Sequence, residues 1–182
     1  MLNPLSKDFR MSRYGLDVRL VTEEDTDYIL SLRTDNKLAR YLHPTENDRQ
    51  KQLEWLKKYK IRESDARDYY FIYFKGEKPV GLNRAYNIFD YYCTSGSWIC
   101  SPENDYEDSL ATFFILHDII FETLNLDLIL FDVRKSNSQV LKLHKKCGAR
   151  LVGESEIDYY FVTNRNDYLQ SKDGLLEMFN IK

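Results

Sequence analysis

Three histidines are the side chains of this chain best suited to moving protons near neutral pH: His43, His117 and His144. His43 stands before Pro44 in a segment that reads as a loop, where functional residues concentrate. His117 falls inside a run that is apolar nearly all round and reads as a core residue. His144 sits on an amphipathic helical stretch beside Lys145 and Lys146. A second feature is the stretch SPENDYEDSLAT (101–112). Four carboxylates, Glu103, Asp105, Glu107 and Asp108, crowd the start of a long apolar helical pattern. A helix start attracts anions, because its first N–H groups lack partners. Acids there either cap the helix and relieve its dipole or oppose a bound phosphate. A third group is Asn83, Arg84 and Tyr86 with Tyr91 and Tyr92, in and beside a strand-like run. Aromatic faces stack on sugars or bases, and arginine pairs with a diphosphate. Cys93, Cys100 and Cys147 have neither metal-ligand spacing nor an adjacent base, so no metal site and no thiol nucleophile is expected.

These residues need a scaffold, and the pattern along the chain supplies one. LDVRLV (16–21) alternates as a half-buried strand, and TEED then caps a helix carrying Tyr28, Ile29 and Leu32. A loop at 34–45 leads to a second helix over about 46–61, capped by Thr45. YYFIYFK (69–75), the turn KGEK and PVGLNRAYNI (79–88) read as a hairpin, and GSWIC (96–100) as a third strand after a turn at DYYCTS. A buried helix over 108–124, an apolar strand over 126–133 and a helix over 137–147 stopped by Gly148 follow. Strand, helix, strand over 96–133 makes a right-handed parallel crossover. RLVG and DYYFV read as short strands, and DGLLEMFNIK closes as strand or helix. The result is a mixed α/β sheet, mostly antiparallel with one parallel pair.

At 182 residues, with 43% hydrophobic and 30% charged residues, the chain reads as one domain over 16–182 after an N-terminal extension at 1–15. A net charge of -3 gives no footprint of a general nucleic-acid binder. No run reaches transmembrane length, and MLNPLSKDFR has no apolar signal core. An odd number of unpaired cysteines fits a reducing, cytoplasmic setting.

The element order, together with DVRKSNSQVLKLHKKCGARLVGE (132–154), resembles the GNAT acetyltransferase superfamily. Asn137, Val140, Lys146, Gly148, Gly153 and Glu154 stand in the matching places, and VRLVTEEDTDYILSLRTD matches the opening strand and helix. The resemblance covers about residues 16–170. LRTDNKLARYLHPT followed by QLEWLKKY resembles the acceptor side of bacterial enzymes that N-acetylate nucleotide-linked amino sugars. The branch with ribosomal-protein and polyamine acetyltransferases shares much of the pattern.

The resemblance implies a sheet whose parallel strand pair splays to hold acetyl-CoA as co-substrate. Trp98, Ile99 and Cys100 would meet the pantetheine through their backbone. The pyrophosphate turn would be Tyr106-Glu107-Asp108-Ser109-Leu110-Ala111, with Ser109, Leu110 and Ala111 offering backbone groups despite the acids. Asn137 would hold pantetheine or the helix start. His144 occupies the position where relatives often carry a tyrosine proton donor, and an imidazolium could serve. Relatives often carry a glutamate on the strand at 94–98, where this chain has Thr94, Ser95, Gly96 and Ser97. His43, Asn83, Arg84 and Tyr86 fall on the acceptor side. The implied activity is N-acetylation of a small-molecule amine, with a nucleotide-linked amino sugar foremost. Ribosomal-protein or polyamine acetylation and a catalytically degenerate binding protein are the alternatives. Relatives are often homodimers.

Overall fold

The structure is a computed structural model and describes residues 3–182. Eight strands form one sheet in the order β1-β2-β3-β4-β5-β6-β8-β7. The strands are β1 (Arg10–Arg13), β2 (Leu16–Leu20), β3 (Asp68–Lys75), β4 (Lys78–Tyr86), β5 (Tyr92–Cys100), β6 (Leu128–Arg134), β7 (Arg150–Glu154) and β8 (Asp158–Asn164). Every neighbouring pair is antiparallel except β5 and β6. Helices α1 (Thr26–Arg33) and α2 (Arg49–Ser64) cover one face. Helices α3 (Tyr106–Asp118), α4 (Ser138–Lys146) and α5 (Arg165–Met178) join the larger core on the other. Burial of Phe114, Ile115, Ile119 and Phe121 at 0% exposure accounts for the apolar run through α3 and the π-helical turn Ile119–Thr123 that ends it.

Several boundaries differ from the sequence reading, each for a local reason. Within the stretch read as an extension, Arg10–Arg13 forms an edge strand. Tyr14 and Gly15, both at positive φ, turn it back onto β2. The cap of α2 is Asp48, whose carboxylate accepts from Lys51 N–H at 3.1 Å, rather than Thr45, whose hydroxyl accepts from Arg33. The stretch read as a turn at DYYCTS belongs largely to β5, because its residues pair with β4 and β6. The TEED cap opens a short 3-10 turn before α1, with Thr22 N–H donating to Asp25 at 2.7 Å. The C-terminal segment is α5. Gly148, at φ +76, ends α4 as expected.

One feature of β5 shapes the site. Parallel pairing with β6 runs only over Tyr92↔Leu128, Cys93↔Ile129 and Thr94↔Leu130. Opposite β4, Leu82 pairs with Ile99 and Arg84 with Gly96, so Asn83 faces both Ser97 and Trp98. That is a bulge, and Ser97 takes φ +55 to make it. The bulge adds local twist just past the last parallel pair, and from there β5 and β6 part.

Candidate active site

Where β5 and β6 diverge, a cleft of about 650 Å³ opens between them. Its far wall is the loop between α1 and α2 with the first turns of α2. Tyr41 ties that loop across to the start of α4, its hydroxyl donating to Ser136 C=O at 3.2 Å. His43, Asn83, Arg84, Tyr86, Trp98, Asn137 and His144 all line this one space. Residues nominated from four separate segments are therefore brought together. Ile99, Cys100, Ser109, Leu110 and Ala111 do not line it. Ile99, Leu110 and Ala111 are buried core side chains, so any contact they make with a ligand is through backbone.

Asn83 is fully buried and its amide is committed on both sides. It accepts from the Tyr73 hydroxyl at 2.7 Å and donates to Thr112 C=O at 3.0 Å. Thr112 also receives Trp98 Nε1–H at 2.9 Å. These bonds lock the bulged strand to the first turns of α3. Asn83 thus holds the wall rather than reaching a ligand with a free amide. Asn137 caps α4, accepting from Val140 N–H at 3.4 Å. A Cβ at Gly96 would stand 3.2 Å from the Tyr86 ring and press on it, so the glycine leaves that ring room.

His144 is 7% exposed and lies against Phe131, ring centroids 4.1 Å apart, with Phe113 and Phe161 beyond. Its Nδ1 is buried without a partner among the described residues. Desolvation, with a smaller push from His117, lowers its pKa to about 3. The imidazolium expected from the sequence is therefore not the resting form, and His144 is neutral. His117, read as a core residue, is buried, bonds Phe113 C=O at 2.8 Å and is lowered by desolvation to about 4.

Charge in the cleft is unevenly divided. Arg33, Lys51, Arg84 and Arg134 line it against Glu46 and Asp132. Lys51 pairs with Glu46 and Arg134 with Asp158. Arg84 is held by Asp68 and lies over Trp55 and Tyr86 at 5.0 and 4.9 Å from the ring centroids. Arg33 makes no ion pair among the described residues. It donates to Thr45 Oγ1 at 3.1 Å and His43 C=O at 2.9 Å, and desolvation lowers its pKa. The Asp132 carboxylate likewise makes no ion pair or hydrogen bond among the described residues, and its charge helps raise the pKa of Tyr86, after desolvation. Sequence reasoning passed over Arg33 and Asp132. The signal for Asp132 was present: an acid set within the otherwise apolar run LILFDV.

Two lysines of the β3–β4 hairpin offset half of the acidic charge at the start of α3. Lys75 bonds Asp108 at 2.8 Å and approaches Asp105 at 3.7 Å, and Lys78 bonds Glu103 at 2.8 Å. Glu107 has no such partner among the described residues. Asp105 stands at the N-cap position without a side-chain cap bond.

Residues 16–150 match the family model of the acetyltransferase (GNAT) domain. The chain belongs to the GNAT acetyltransferase family. It is an N-acetyltransferase by family, and GNAT enzymes use acetyl-CoA. Among solved structures, apo FdhC, a nucleotide-linked sugar GNAT, superposes with a TM-score of 0.83 at 28% identity, over 92% of this chain and 97% of that one. Spermidine N-acetyltransferase from Vibrio cholerae, in complex with CoA and spermine, gives 0.73 at 21%, over 85% and 98%. Ribosomal-protein-S5-alanine acetyltransferase from Vibrio fischeri gives 0.74 at 18%, over 88% and 99%. Among curated protein sequences none matches. Among the described residues no helix is long and apolar enough to cross a membrane, and no cluster of side chains is arranged to hold a metal.

The residues present fit acetyl-CoA. Past Thr94 the β6-facing edge of β5 has no strand partner, leaving backbone groups for an extended chain. The unpartnered His144 Nδ1 marks a polar atom in the same wall.

Proposed function

We propose that the protein transfers an acetyl group from acetyl-CoA to the amine of a nucleotide-linked amino sugar. The observation that carries this reading is that Arg33 lines the cleft without an acidic partner, while Glu46, Asp68 and Asp158 are each held by a lysine or arginine and Asp132 alone is left for an amine. An anionic acceptor is drawn to such a wall, whereas a polyamine needs convergent carboxylates and meets arginines instead. The likeness to FdhC, at higher identity than the other two, supports the same class.

The backbone of Ser97–Cys100 and the first turns of α3 and α4 would hold acetyl-CoA, which supplies the activated acetyl group. On α3 the groups for its phosphates are the N–H groups of Tyr106–Asp108 rather than Ser109–Ala111, because Ser109 N–H already donates to Asp105 C=O at 3.2 Å. Lys75 and Lys78 offset Asp108 and Glu103, two of the acids that would oppose its phosphates. Asp132 is the cleft carboxylate left free to hold the acceptor ammonium and take its proton, so that the amine's lone pair is available. It stands in for the glutamate that residues 94–97 lack. His144 acts as a neutral imidazole. With Nδ1 buried and unpaired, its proton belongs on Nε2, from which it donates a hydrogen bond to the departing sulfur. Arg33 fixes the loop bearing His43, and Tyr86 and Trp55 wall the sugar.

Thiol release measured with acetyl-CoA and a panel of nucleoside-diphosphate-linked amino sugars, spermidine and an alanine-ended peptide tests this. A kcat/KM for one sugar at least a hundredfold above the others is expected. Preferred turnover of spermidine or the peptide would overturn the acceptor class, and a folded protein inert to all of them would favour a binding role.

A further inference from the structure

A second depression, of about 500 Å³, adjoins the cleft and shares Trp55, Arg84 and Tyr86 with it. Its remaining wall includes Arg62, Arg67 and Phe89. Three guanidiniums thus converge on a space whose lining has one carboxylate, Asp68. Asp68 is 2% exposed and fully used: it accepts Arg62 Nε–H at 3.0 Å and Arg84 Nε–H at 3.2 Å, with Arg84 Nη2–H also bonding it. The carboxylate therefore orients two guanidiniums and cancels one charge, leaving an excess of two. Arg67 spends one Nη1–H on Ile88 C=O at 2.9 Å and lies over Phe89, 5.9 Å from its centroid. Both terminal nitrogens of Arg62, Nη1 of Arg84, and Nε and Nη2 of Arg67 make no hydrogen bond among the described residues. Guanidinium forks without acids are the donors that recognise phosphate. Phe89, 44% exposed beside them and stacked on Tyr92 with ring centroids 4.8 Å apart, offers aromatic surface.

We propose that this depression seats the nucleoside diphosphate of the acceptor, with the diphosphate on Arg62, Arg67 and Arg84 and the base against Phe89. This deepens, and rests on, the nucleotide-linked reading of the cleft. Arg84, common to both spaces, marks the crossing point. The amino sugar reaches from there into the cleft toward Asp132, while the nucleotide stays on the α2 side. Two excess positive charges match the two negative charges of a sugar-linked diphosphate and repel a polyamine.

Isothermal titration of uridine and thymidine diphosphates, the free nucleosides and coenzyme A, against wild type, Arg62→Gln, Arg67→Gln and the double variant, tests the proposal. Arg67→Lys is included because Arg67 also anchors Ile88, and thermal melts confirm folding. A diphosphate is expected to bind wild type, with its nucleoside far weaker. The double variant should lose about tenfold or more in diphosphate affinity, with Arg67→Lys intermediate and coenzyme A affinity unchanged. With the preferred amino-sugar nucleotide, KM should rise by a similar factor while kcat holds. Unchanged diphosphate affinity in a folded double variant would overturn the site yet leave the acceptor reading standing, if the sugar nucleotide still turns over. A parallel loss of coenzyme A affinity would overturn it by assigning the depression to the donor. No diphosphate binding to wild type, together with spermidine turnover, would defeat the acceptor reading itself.

Discussion

His144 and His117 make the fold acid-sensitive, and the size of the effect follows from their surroundings. Both imidazoles are buried, and desolvation lowers them to about 3 and about 4 from 6.5. In the unfolded chain they regain ordinary values. Below pH 6.5 the unfolded state therefore binds protons that the folded state refuses. Stability is full above that value and is lost as pH falls toward 4 and then 3. Each pH unit below 6.5 costs about 1.4 kcal/mol per histidine, so at pH 5 each removes about 2 kcal/mol. Against a typical total of about 5–15 kcal/mol, the pair is a large share. His144→Phe isolates one half of it. The ring keeps its place among Phe113, Phe131 and Phe161, and the unpaired Nδ1 disappears, so the variant should be no less stable at pH 7.5. Urea unfolding of both proteins at pH 7.5 and 5.0 reads the difference. The variant should lose about 2 kcal/mol less than wild type across that interval. An identical loss in both would refute the neutral, buried state of His144.

Three further outcomes follow from the same geometry. Asp132→Asn should lower kcat/KM by about a hundredfold or more and weaken acceptor binding in titration, with coenzyme A affinity retained; wild-type kcat/KM would contradict its role. Asn83→Ala should destabilise by about 2–4 kcal/mol in denaturant, because it strands the buried Tyr73 hydroxyl and one bond to Thr112; a change within about 0.5 kcal/mol would show that the bonds relax. Replacing Lys75 and Lys78 together by alanine should weaken coenzyme A binding a few-fold, more at low salt, since Asp108 and Glu103 would then face its phosphates unpaired. Tighter binding would mean the lysines do not serve to neutralise the turn.

The parallel crossover was legible because it rests on local patterns, the apolar run of α3 and the strand LILFDV, whereas the splay and the segments of the cleft were implied by the resemblance to the GNAT superfamily. Ionisation was not legible. The lysines beside His144 in sequence imply a wet helix face, yet the ring turns inward among Phe113, Phe131 and Phe161, and only tertiary packing decides that. The partners of the acidic stretch were equally hidden, because Lys75 and Lys78 lie some thirty residues away and meet it through hairpin geometry. Asn83 looked like a ligand contact for a related reason. Sequence marks a polar residue in a strand, but whether its amide is already satisfied depends on Tyr73 and Thr112. The edge strand β1 was missed because RMSR carries little apolar alternation and gains its place by pairing with β2.

The central claim is that acetyl-CoA enters between β5 and β6 with its phosphates at the start of α3. Hydrogen–deuterium exchange with and without acetyl-CoA tests it directly. The account predicts slowed exchange confined to residues 95–100, 106–111 and 137–140. Protection elsewhere, or none at saturating acetyl-CoA, would contradict it.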